Sequence, residues 1–303
     1  MKVPTRRITG LVSIVVLSMV VGCGRTAWYA GVPAKPTLTD TASLTITVTP
    51  EPTATATPPL TATPEGCMES AGRTERIKLP SELLAGGLWV TVYTPPCFGA
   101  DGATPYSVLY LLHGQNMDDS YWIDLGAAAI ADREILAGQA PFLMVMPYEE
   151  RNFDPPGNSN FDDALLQELI PWVEATYPVC TERACRAIGG ISRGGGWAVH
   201  IALRNFYTFG SVGAHSLGLM AGDWWYVGHL LETYKPDEFP RFYVDRGEQD
   251  YLAKDIDLFE SALANGNIPH EYIISPLGHE GAYWQAHVEE YMDWYMQGIP
   301  QAD

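Results

Sequence analysis

The sequence is poor in basic residues. Only 18 lysines and arginines stand against 36 aspartates and glutamates among the 303 residues, which makes a formal net charge of -18 at pH 7. Nucleic-acid binding depends on cationic side chains that displace counterions from phosphates. This charge balance therefore makes nucleic acid a poor partner and polyanionic substrates unattractive. The acidity is typical of a surface that keeps a protein in solution.

Long apolar runs are also absent, apart from one near the N-terminus. That run extends from Ile8 to Val21, follows three basic residues and leads into the letters VVGC, which end at Cys23. As a helix it would cover about 21 Å, short of the roughly 30 Å hydrocarbon core of a bilayer. The pattern is typical of a bacterial lipoprotein signal peptide, cleaved before a cysteine whose thiol carries the lipid. We therefore expect export and a lipid anchor on the outer face of a bacterial membrane, with cleavage elsewhere as the alternative.

Cysteine and histidine are few, five and seven respectively, and they lack the spacing of zinc ligands. No metal or other cofactor is expected. Besides Cys23, the four cysteines are Cys67, Cys97, Cys180 and Cys185. An even number in an exported chain favours disulfides over metal ligands. We predict that Cys67 pairs with Cys97 and Cys180 with Cys185, while the other two connectivities and free thiols stay open.

The segment from Pro33 to Glu65 consists mainly of threonine, proline and alanine, as in TPEPTATATPPLTATPE. It has almost nothing to bury, and its prolines favour extended conformations, which predicts a tether. We divide the chain into a signal peptide at residues 1–22, a lipidated tether at 23–66 and a folded domain at 67–303. The last part has the length of one large α/β domain.

After the tether, short apolar runs alternate with longer amphipathic ones, and glycines and prolines separate them. The short runs are predicted strands: Arg73 to Leu79, Leu88 to Tyr93, Tyr106 to Leu112, Phe142 to Met146, Arg186 to Ile191, Gly210 to Ala214, Arg241 to Val244 and Glu271 to Ser275. The longer runs are predicted helices: Leu125 to Leu136, Asp162 to Tyr177, Arg193 to Asn205, Leu252 to Ala264 and Tyr283 to Met296.

The connections between these elements predict how the strands pair. The first two strands are joined by a short glycine-bearing turn, ELLAGG, and should be antiparallel. Helices separate the later strands, which should therefore run parallel. The expected fold class is α/β: a mostly parallel central sheet with an antiparallel N-terminal edge and helices on both faces, as in α/β-hydrolases.

A candidate nucleophile lies in the segment RAIGGISRGGGWAVHIAL. Gly190 to Gly194 match GxSxG, between a strand-like and a helix-like run. The sharp turn between them requires small residues on both sides of the serine, because the serine takes a strained conformation. We predict that Ser192 is presented at the top of the sheet as a nucleophile.

A serine hydroxyl needs an imidazole to remove its proton, and in this fold the histidine follows an acid along the chain. His279, in the loop SPLGHEGAYW between the last strand and the last helix, is the best candidate. His215 follows an earlier predicted strand at the carboxyl edge of the sheet, so we expect it to line the pocket. It precedes any plausible acid, which argues against it as the base. The weaker candidates are His200, His229, His270 and His287.

The segment RFYVDRGEQDYL supplies the acid. Asp250 lies in a turn after the strand, where its carboxylate can reach the imidazole and hold it in the correct tautomer. Asp245, at the predicted end of the strand, and Glu248 are the alternatives. Because ester cleavage builds negative charge on the carbonyl oxygen, two main-chain amides should lie nearby. Arg193, after the nucleophile, and Gln115, in the loop VLYLLHGQN, are in the positions to supply them.

Five motifs in order resemble the esterase D-like group of the α/β-hydrolases, which includes bacterial feruloyl esterases, enterochelin esterases, S-formylglutathione hydrolases and mycolyltransferases. They are YLLHG followed by DDSYW, ELIPWVEATYPV, GGISRGG, RGEQD and GHEGAYW, and they cover most of the chain after the tether. The resemblance implies the triad Ser192, Asp250 and His279. It also implies that the amides of Gln115 and Arg193 form the oxyanion hole.

In the histidine loop of these proteins an aromatic residue follows the base, and here it is Trp284. The resemblance implies that Trp284 borders the acyl pocket, with packing in the core as an equal alternative. Together these observations predict an extracytoplasmic serine carboxylic-ester hydrolase that forms an acyl-enzyme on Ser192. Its expected substrate is a small-molecule or carbohydrate-linked ester. The alternatives are an acyltransferase that uses a sugar or alcohol acceptor, and a non-catalytic surface lipoprotein that retains the scaffold.

Overall fold

The computed structural model describes residues 67–100, 105–150, 153–154 and 156–300. The expected signal peptide, the lipidation site Cys23 and the threonine-rich tether lie outside the described residues. Among the residues described, no helix combines the length and the apolar character needed to cross a bilayer.

One sheet of eight strands forms the centre of the domain, in the order β1-β2-β4-β3-β5-β6-β7-β8. The strands are β1 (Arg73–Leu79), β2 (Leu88–Thr94), β3 (Ser107–Leu112), β4 (Phe142–Pro147), β5 (Arg186–Ile191), β6 (Ser211–His215), β7 (Arg241–Gln249) and β8 (His270–Gly278). β1 pairs antiparallel with β2, and β2 pairs antiparallel with β4. The other neighbours are parallel. The predicted α/β fold with an antiparallel N-terminal edge is confirmed.

The helices lie on both faces of this sheet. They are α1 (Tyr121–Asp124), α2 (Ala127–Leu136), α3 (Phe161–Ala164), α4 (Ile170–Thr176), α5 (Arg193–Arg204), α6 (Asp223–Thr233), α7 (Ala253–Asn265) and α8 (Gly281–Gln297). A π-helical turn at Leu165–Leu169 joins α3 to α4, so the predicted helix from Asp162 to Tyr177 is one helical segment with a wider middle turn.

Two buried apolar clusters hold the helices against the sheet. Helices α3 to α7 pack on one face, for example through Trp197 and Ile201 of α5. Helices α1, α2 and α8 pack on the other, where Tyr291 and Tyr295 of α8 are fully buried. Because both faces are covered, the central strands β3 and β4 are buried along their whole length and read as continuous apolar runs.

Helix α6 and strand β7 differ most from the prediction, while the short helix α1 was not predicted either and β8 ends at Gly278 instead of Ser275. Helix α6 was not predicted, because its sequence DWWYVGHLLET has a glycine at Gly228 and exposes Trp224 and Trp225 instead of forming a clean apolar stripe. Strand β7 continues past its predicted end at Val244 to Gln249. Its second half is polar, and it stays in the sheet through pairing with β8.

Both predicted disulfides are confirmed: Cys67 pairs with Cys97, and Cys180 pairs with Cys185. The first links the start of the domain to the segment after β2. The second closes a short loop immediately before β5. Glu69 lies beside Cys67 and Cys97 in a cluster of metal-ligand types, but the disulfide occupies both sulfur atoms.

Candidate active site

Ser192 lies in the sharp turn between β5 and α5. Its φ of 56° and ψ of -116° place it in a region that residues with a side chain rarely adopt. The turn is tight: a Cβ at Gly190 would come within 2.3 Å of the Gly194 carbonyl carbon, and a Cβ at Gly194 within 2.3 Å of the Leu112 carbonyl oxygen. Glycine is therefore required on both sides of the serine, as the GxSxG pattern predicted.

Main-chain hydrogen bonds hold this strained turn in place. The N–H of Ser192 donates to the carbonyl oxygen of His215 at 2.8 Å. The carbonyl oxygen of Ser192 accepts from the N–H of Gly196 at 3.0 Å and from the N–H of Gly218 at 3.2 Å. The conformation of the serine is thus determined by its contacts with β6 and the loop that follows it, and not by its own preference.

The side chain of Ser192 meets that of His279. The distance between the serine Oγ and the histidine Nε2 is 2.7 Å, although the two residues are 87 positions apart in the chain. His279 follows β8 directly, and its side chain is 7% exposed. Its ring packs against Tyr251, at 4.5 Å between centroids, and against the edge of Trp284, at 5.2 Å. Trp284 itself is 3% exposed and belongs to the core.

Asp250 completes the chain of contacts. Its two carboxylate oxygens lie 3.0 and 3.1 Å from Nδ1 of His279, and it also accepts the main-chain N–H of Leu252 at 2.8 Å. Burial alone raises the pKa of Asp250, but these hydrogen bonds outweigh burial and hold the pKa below its ordinary value. An ionised Asp250 fixes the proton of His279 on Nδ1 and leaves Nε2 free to accept from the Ser192 hydroxyl.

The two alternative acids lie elsewhere. Asp245 is buried in the middle of β7 and contacts His215. Glu248 is exposed near the end of β7.

Ser192 opens into a cavity of about 280 Å³. Gln115 and Arg193 line the same cavity, and neither of their main-chain N–H groups has an acceptor within the described part of the chain. The rest of the lining is mostly apolar: Gly218, Leu219, Met220, Ala221, Tyr251 and Leu252. A hydroxyl next to an imidazole, with two unused donors beside it, is the arrangement that acyl transfer to serine requires.

Comparison with known proteins decides the family. The family model described as "Putative esterase" matches residues 81–288, more than half of the chain. The chain belongs to this esterase family. Esterase Rv1288 of Mycobacterium tuberculosis is 31% identical over 135 residues, which are 42% of this chain and 28% of that protein. An endo-1,4-beta-xylanase/feruloyl esterase of Xylanibacter ruminicola is 31% identical over 178 residues, 55% of this chain and 23% of that protein.

The match therefore spans less than a third of the length of these relatives of the esterase family. A solved structure of a ferulic acid esterase superposes with a TM-score of 0.67 at 24% identity, and the match covers 76% of this chain and 99% of that one. At this identity the similarity shows the α/β-hydrolase fold.

In this esterase-family chain, the side chain of Arg193 is tied to Glu149, a residue that sequence reasoning missed. Nε of Arg193 donates to Glu149 at 2.7 Å, and Nη2 donates to the second carboxylate oxygen and, at 2.9 Å, to the carbonyl oxygen of Asp154. The main-chain N–H of Glu149 donates to Nε2 of His113 at 2.9 Å, while Nδ1 of His113 donates to the carbonyl oxygen of Gly114 at 2.8 Å. Buried Glu149 thus holds both segments that carry the cavity amides. Its carboxylate binds the side chain of Arg193, and its main-chain N–H binds His113, which precedes Gln115 by two residues.

Burial lowers the pKa of His113 below its ordinary value, which favours the neutral imidazole that this pattern needs. In the sequence, the signal that could have identified Glu149 as a site residue was its position. It follows a fully buried strand at the carboxyl edge of the sheet, where polar residues of parallel sheets gather at binding sites.

The expectation that His215 lines the pocket is wrong. Its imidazole is fully buried on the α8 side of the sheet, between Asp245 and Tyr295 and stacked on Tyr291 at 3.7 Å between ring centroids. Only its main-chain carbonyl, which accepts from Ser192, contacts the site. The prediction failed because His215 is the last residue of β6 and not part of the loop after it. The strand directs its side chain onto the sheet face that α8 covers, away from the cavity.

The loop before α6 forms one wall of the cavity. Asp223, at the start of α6, accepts from the main-chain N–H of Met220 at 3.2 Å and from Arg204 at 2.6 Å. The same carboxylate lies 2.8 Å from Nδ1 of His200, whose Nε2 is 3.6 Å from Asp162. Burial alone lowers the pKa of His200, but the two carboxylates outweigh burial and raise the pKa above its ordinary value.

We expect His200→Gln to lower the free energy of unfolding more at about pH 6 than at about pH 8.5. The stabilisation from a charged His200 is fully present below its ordinary pKa of 6.5 and is lost as the pH rises through the raised pKa. Urea denaturation of both proteins at the two pH values measures this difference. A loss of stability that is equal at both pH values would contradict it.

Proposed function

We propose that the protein is a serine carboxylic-ester hydrolase that forms an acyl-enzyme on Ser192, with His279 as the general base and Asp250 as the acid that orients it. The observation that carries this proposal is the continuous contact from Ser192 Oγ to His279 Nε2, at 2.7 Å, and from His279 Nδ1 to Asp250, at 3.0 Å. Membership of the esterase family supports it independently.

In the first half of the proposed reaction, the Oγ of Ser192 forms a bond to the ester carbonyl carbon while Nε2 of His279 takes the hydroxyl proton. The carbonyl oxygen becomes negatively charged and receives hydrogen bonds from the N–H groups of Gln115 and Arg193. Each such donor is worth roughly 3 kcal/mol in the transition state. When the carbonyl re-forms, the bond to the alcohol oxygen breaks, and His279 returns its proton to that oxygen.

The second half repeats these steps with water. His279 deprotonates the water, whose oxygen attacks the acyl carbon, and the bond to Ser192 Oγ breaks as the serine regains its proton. The product is the free acid. If an alcohol or sugar enters in place of water, the same steps transfer the acyl group. Product analysis in the presence of competing alcohols distinguishes the hydrolase from the acyltransferase alternative.

We infer that the substrate is an ester of an aromatic carboxylic acid. Relatives in the family bear the names feruloyl esterase and ferulic acid esterase. The cavity beside Ser192 offers an apolar surface of Leu219, Met220 and Leu252. Tyr251 also lines it, is 76% exposed and packs against the imidazole of His279, so its ring is free to stack on an aromatic acyl group.

We expect Tyr251→Ala to raise KM for methyl ferulate by about fivefold, since one aromatic contact is worth about 1 kcal/mol. KM for 4-nitrophenyl acetate, whose acyl group is too small to reach the ring, should change much less. Steady-state kinetics with both esters tests this. Tyr207→Ala is the control, because Tyr207 is 59% exposed and packs on Phe206 and Tyr234, outside the cavity lining. An equal loss with both esters would mean that Tyr251 supports His279 instead.

We further propose that the protein is exported from the cytoplasm and is anchored to a membrane by a lipid on Cys23. The sequence VVGC supports the anchor. The two disulfides support export, because such bonds persist in oxidising compartments.

A further inference from the structure

A fully buried Asp–His pair lies in the core, beneath the candidate active site. Nδ1 of His215 is 2.9 Å from Asp245 Oδ1, and Nε2 of His215 is 2.9 Å from the hydroxyl of Tyr295. The other carboxylate oxygen of Asp245 accepts from the hydroxyls of Tyr283 at 2.8 Å and Tyr291 at 2.7 Å. All five side chains are at most 1% exposed. We call them the buried network.

The hydrogen atoms of the buried network can be assigned from these contacts. An ionised Asp245 only accepts, so His215 donates through Nδ1–H, and the tyrosines donate through their hydroxyls. Nε2 of His215 then accepts from Tyr295. Every polar hydrogen has an acceptor, and the carboxylate receives three donors. A buried network is stable only when it is satisfied in this way.

The central strands are shaped to admit this network. A Cβ at Gly189 of β5 would lie 1.6 Å from the Tyr295 hydroxyl oxygen, and one at Gly213 of β6 would lie 1.8 Å from it. Two glycines in adjacent central strands weaken a sheet, yet here they are required for the hydroxyl to reach His215. An apolar core of similar volume is often at least as stable as a buried polar network. Stability alone therefore does not account for this arrangement.

The main chain of the buried network supports the nucleophile turn. The carbonyl oxygen of His215 accepts the N–H of Ser192 at 2.8 Å. The carbonyl oxygen of Asp245 accepts the N–H of Ser216 at 3.0 Å, at the start of the loop that leads to the cavity wall. The side chains of His215 and Asp245 are joined across β6 and β7, so the ends of these strands are held in one relative position. Ser192 depends on that position, since its backbone is strained.

We propose that the buried network is a positioning unit for Ser192: it holds the carbonyl of His215 where that carbonyl keeps the serine in attacking geometry. The proposal rests on the hydrolase function proposed above. None of the five side chains lines the cavity, so the network acts on the reaction step and leaves substrate binding unchanged. A displacement of about 1 Å in such a group is enough to cost about 100-fold in rate.

Tyr295→Phe tests the proposal, because it removes one hydroxyl and leaves His215 without its donor. We expect kcat for 4-nitrophenyl acetate, and the rate of labelling by a fluorophosphonate, to fall about tenfold or more at unchanged KM, with the protein still folded. Tyr243→Phe is the matched control: Tyr243 is 4% exposed and its ring lies 5.6 Å from that of His215, but its hydroxyl is not part of the network. It should behave as the wild type.

Equal kinetics in Tyr295→Phe and Tyr243→Phe, in a wild type that hydrolyses esters, would overturn the positioning role. A folded wild type that hydrolyses no ester would instead overturn the proposed function, so the two failures are distinguishable. If Tyr295→Phe does not fold, Tyr283→Phe takes its place, since it removes only one of the three donors to Asp245. The same fall in kcat at unchanged KM supports the positioning role, and an unchanged kcat overturns it.

Discussion

Ser192→Ala is expected to reduce kcat for ester hydrolysis by about 10⁵- to 10⁶-fold. Without Oγ there is no atom to form the acyl-enzyme, and His279 has no proton to remove. The activity left over the uncatalysed reaction would come from the two cavity amides acting on bound substrate and water. Hydrolysis of 4-nitrophenyl acetate measures the loss, and labelling by a fluorophosphonate should disappear with it.

Ser261→Ala serves as the control for this result, because Ser261 is an exposed serine on α7 whose hydroxyl donates to the neighbouring Glu260. It should hydrolyse esters and be labelled like the wild type. If Ser192→Ala were still labelled, the nucleophile would lie elsewhere in the chain. If the folded wild type were not labelled at all, the alternative of a non-catalytic binding lipoprotein would be favoured.

Asp250→Asn is expected to lower kcat by about 10⁴-fold while the protein stays folded. The amide is nearly the same size as the carboxylate, but it cannot fix the proton of His279 on Nδ1 in the way an ionised carboxylate does. It also cannot stabilise the imidazolium that forms when the Ser192 hydroxyl is deprotonated. Steady-state kinetics with 4-nitrophenyl acetate, compared with the circular dichroism spectrum of each protein, measures the effect.

Glu248→Gln is the matched control for the acid, since Glu248 lies two residues before Asp250 and is exposed. It should leave kcat unchanged. The opposite result, with activity kept in Asp250→Asn and lost in Glu248→Gln, would assign the role of the acid to Glu248.

Local patterns were sufficient for much of the fold. The predicted bounds of β1 and β5 are those in the structure. The chemistry of the GxSxG turn also follows from local sterics, as the close approach of Gly190 and Gly194 shows. Chain order then restricted the choice of base and acid, and the structure brings the side chains of His279 and Asp250 into contact with each other and with Ser192.

What the sequence could not predict depends on contacts between distant parts of the chain. The second half of β7 is polar and reads as a turn, and only pairing with β8 keeps it in the sheet. Glu149 and Arg193 form their ion pair across 44 positions. His215 meets Tyr295 across 80 positions, in space that Gly189 of β5 and Gly213 of β6 leave open. No periodicity within one segment carries this information.

The ribosome makes the polypeptide from the N-terminus onward, so the residues of the candidate site emerge at different times. Ser192 follows β5, but His279 comes only after β8, and the tyrosines that support the turn lie on α8, the last helix described. If the proposed function holds, a nascent chain whose last helix has not yet been made or docked therefore has Ser192 without an aligned base. We expect such a chain to be inert toward esters until the final helix docks and the three side chains are brought together.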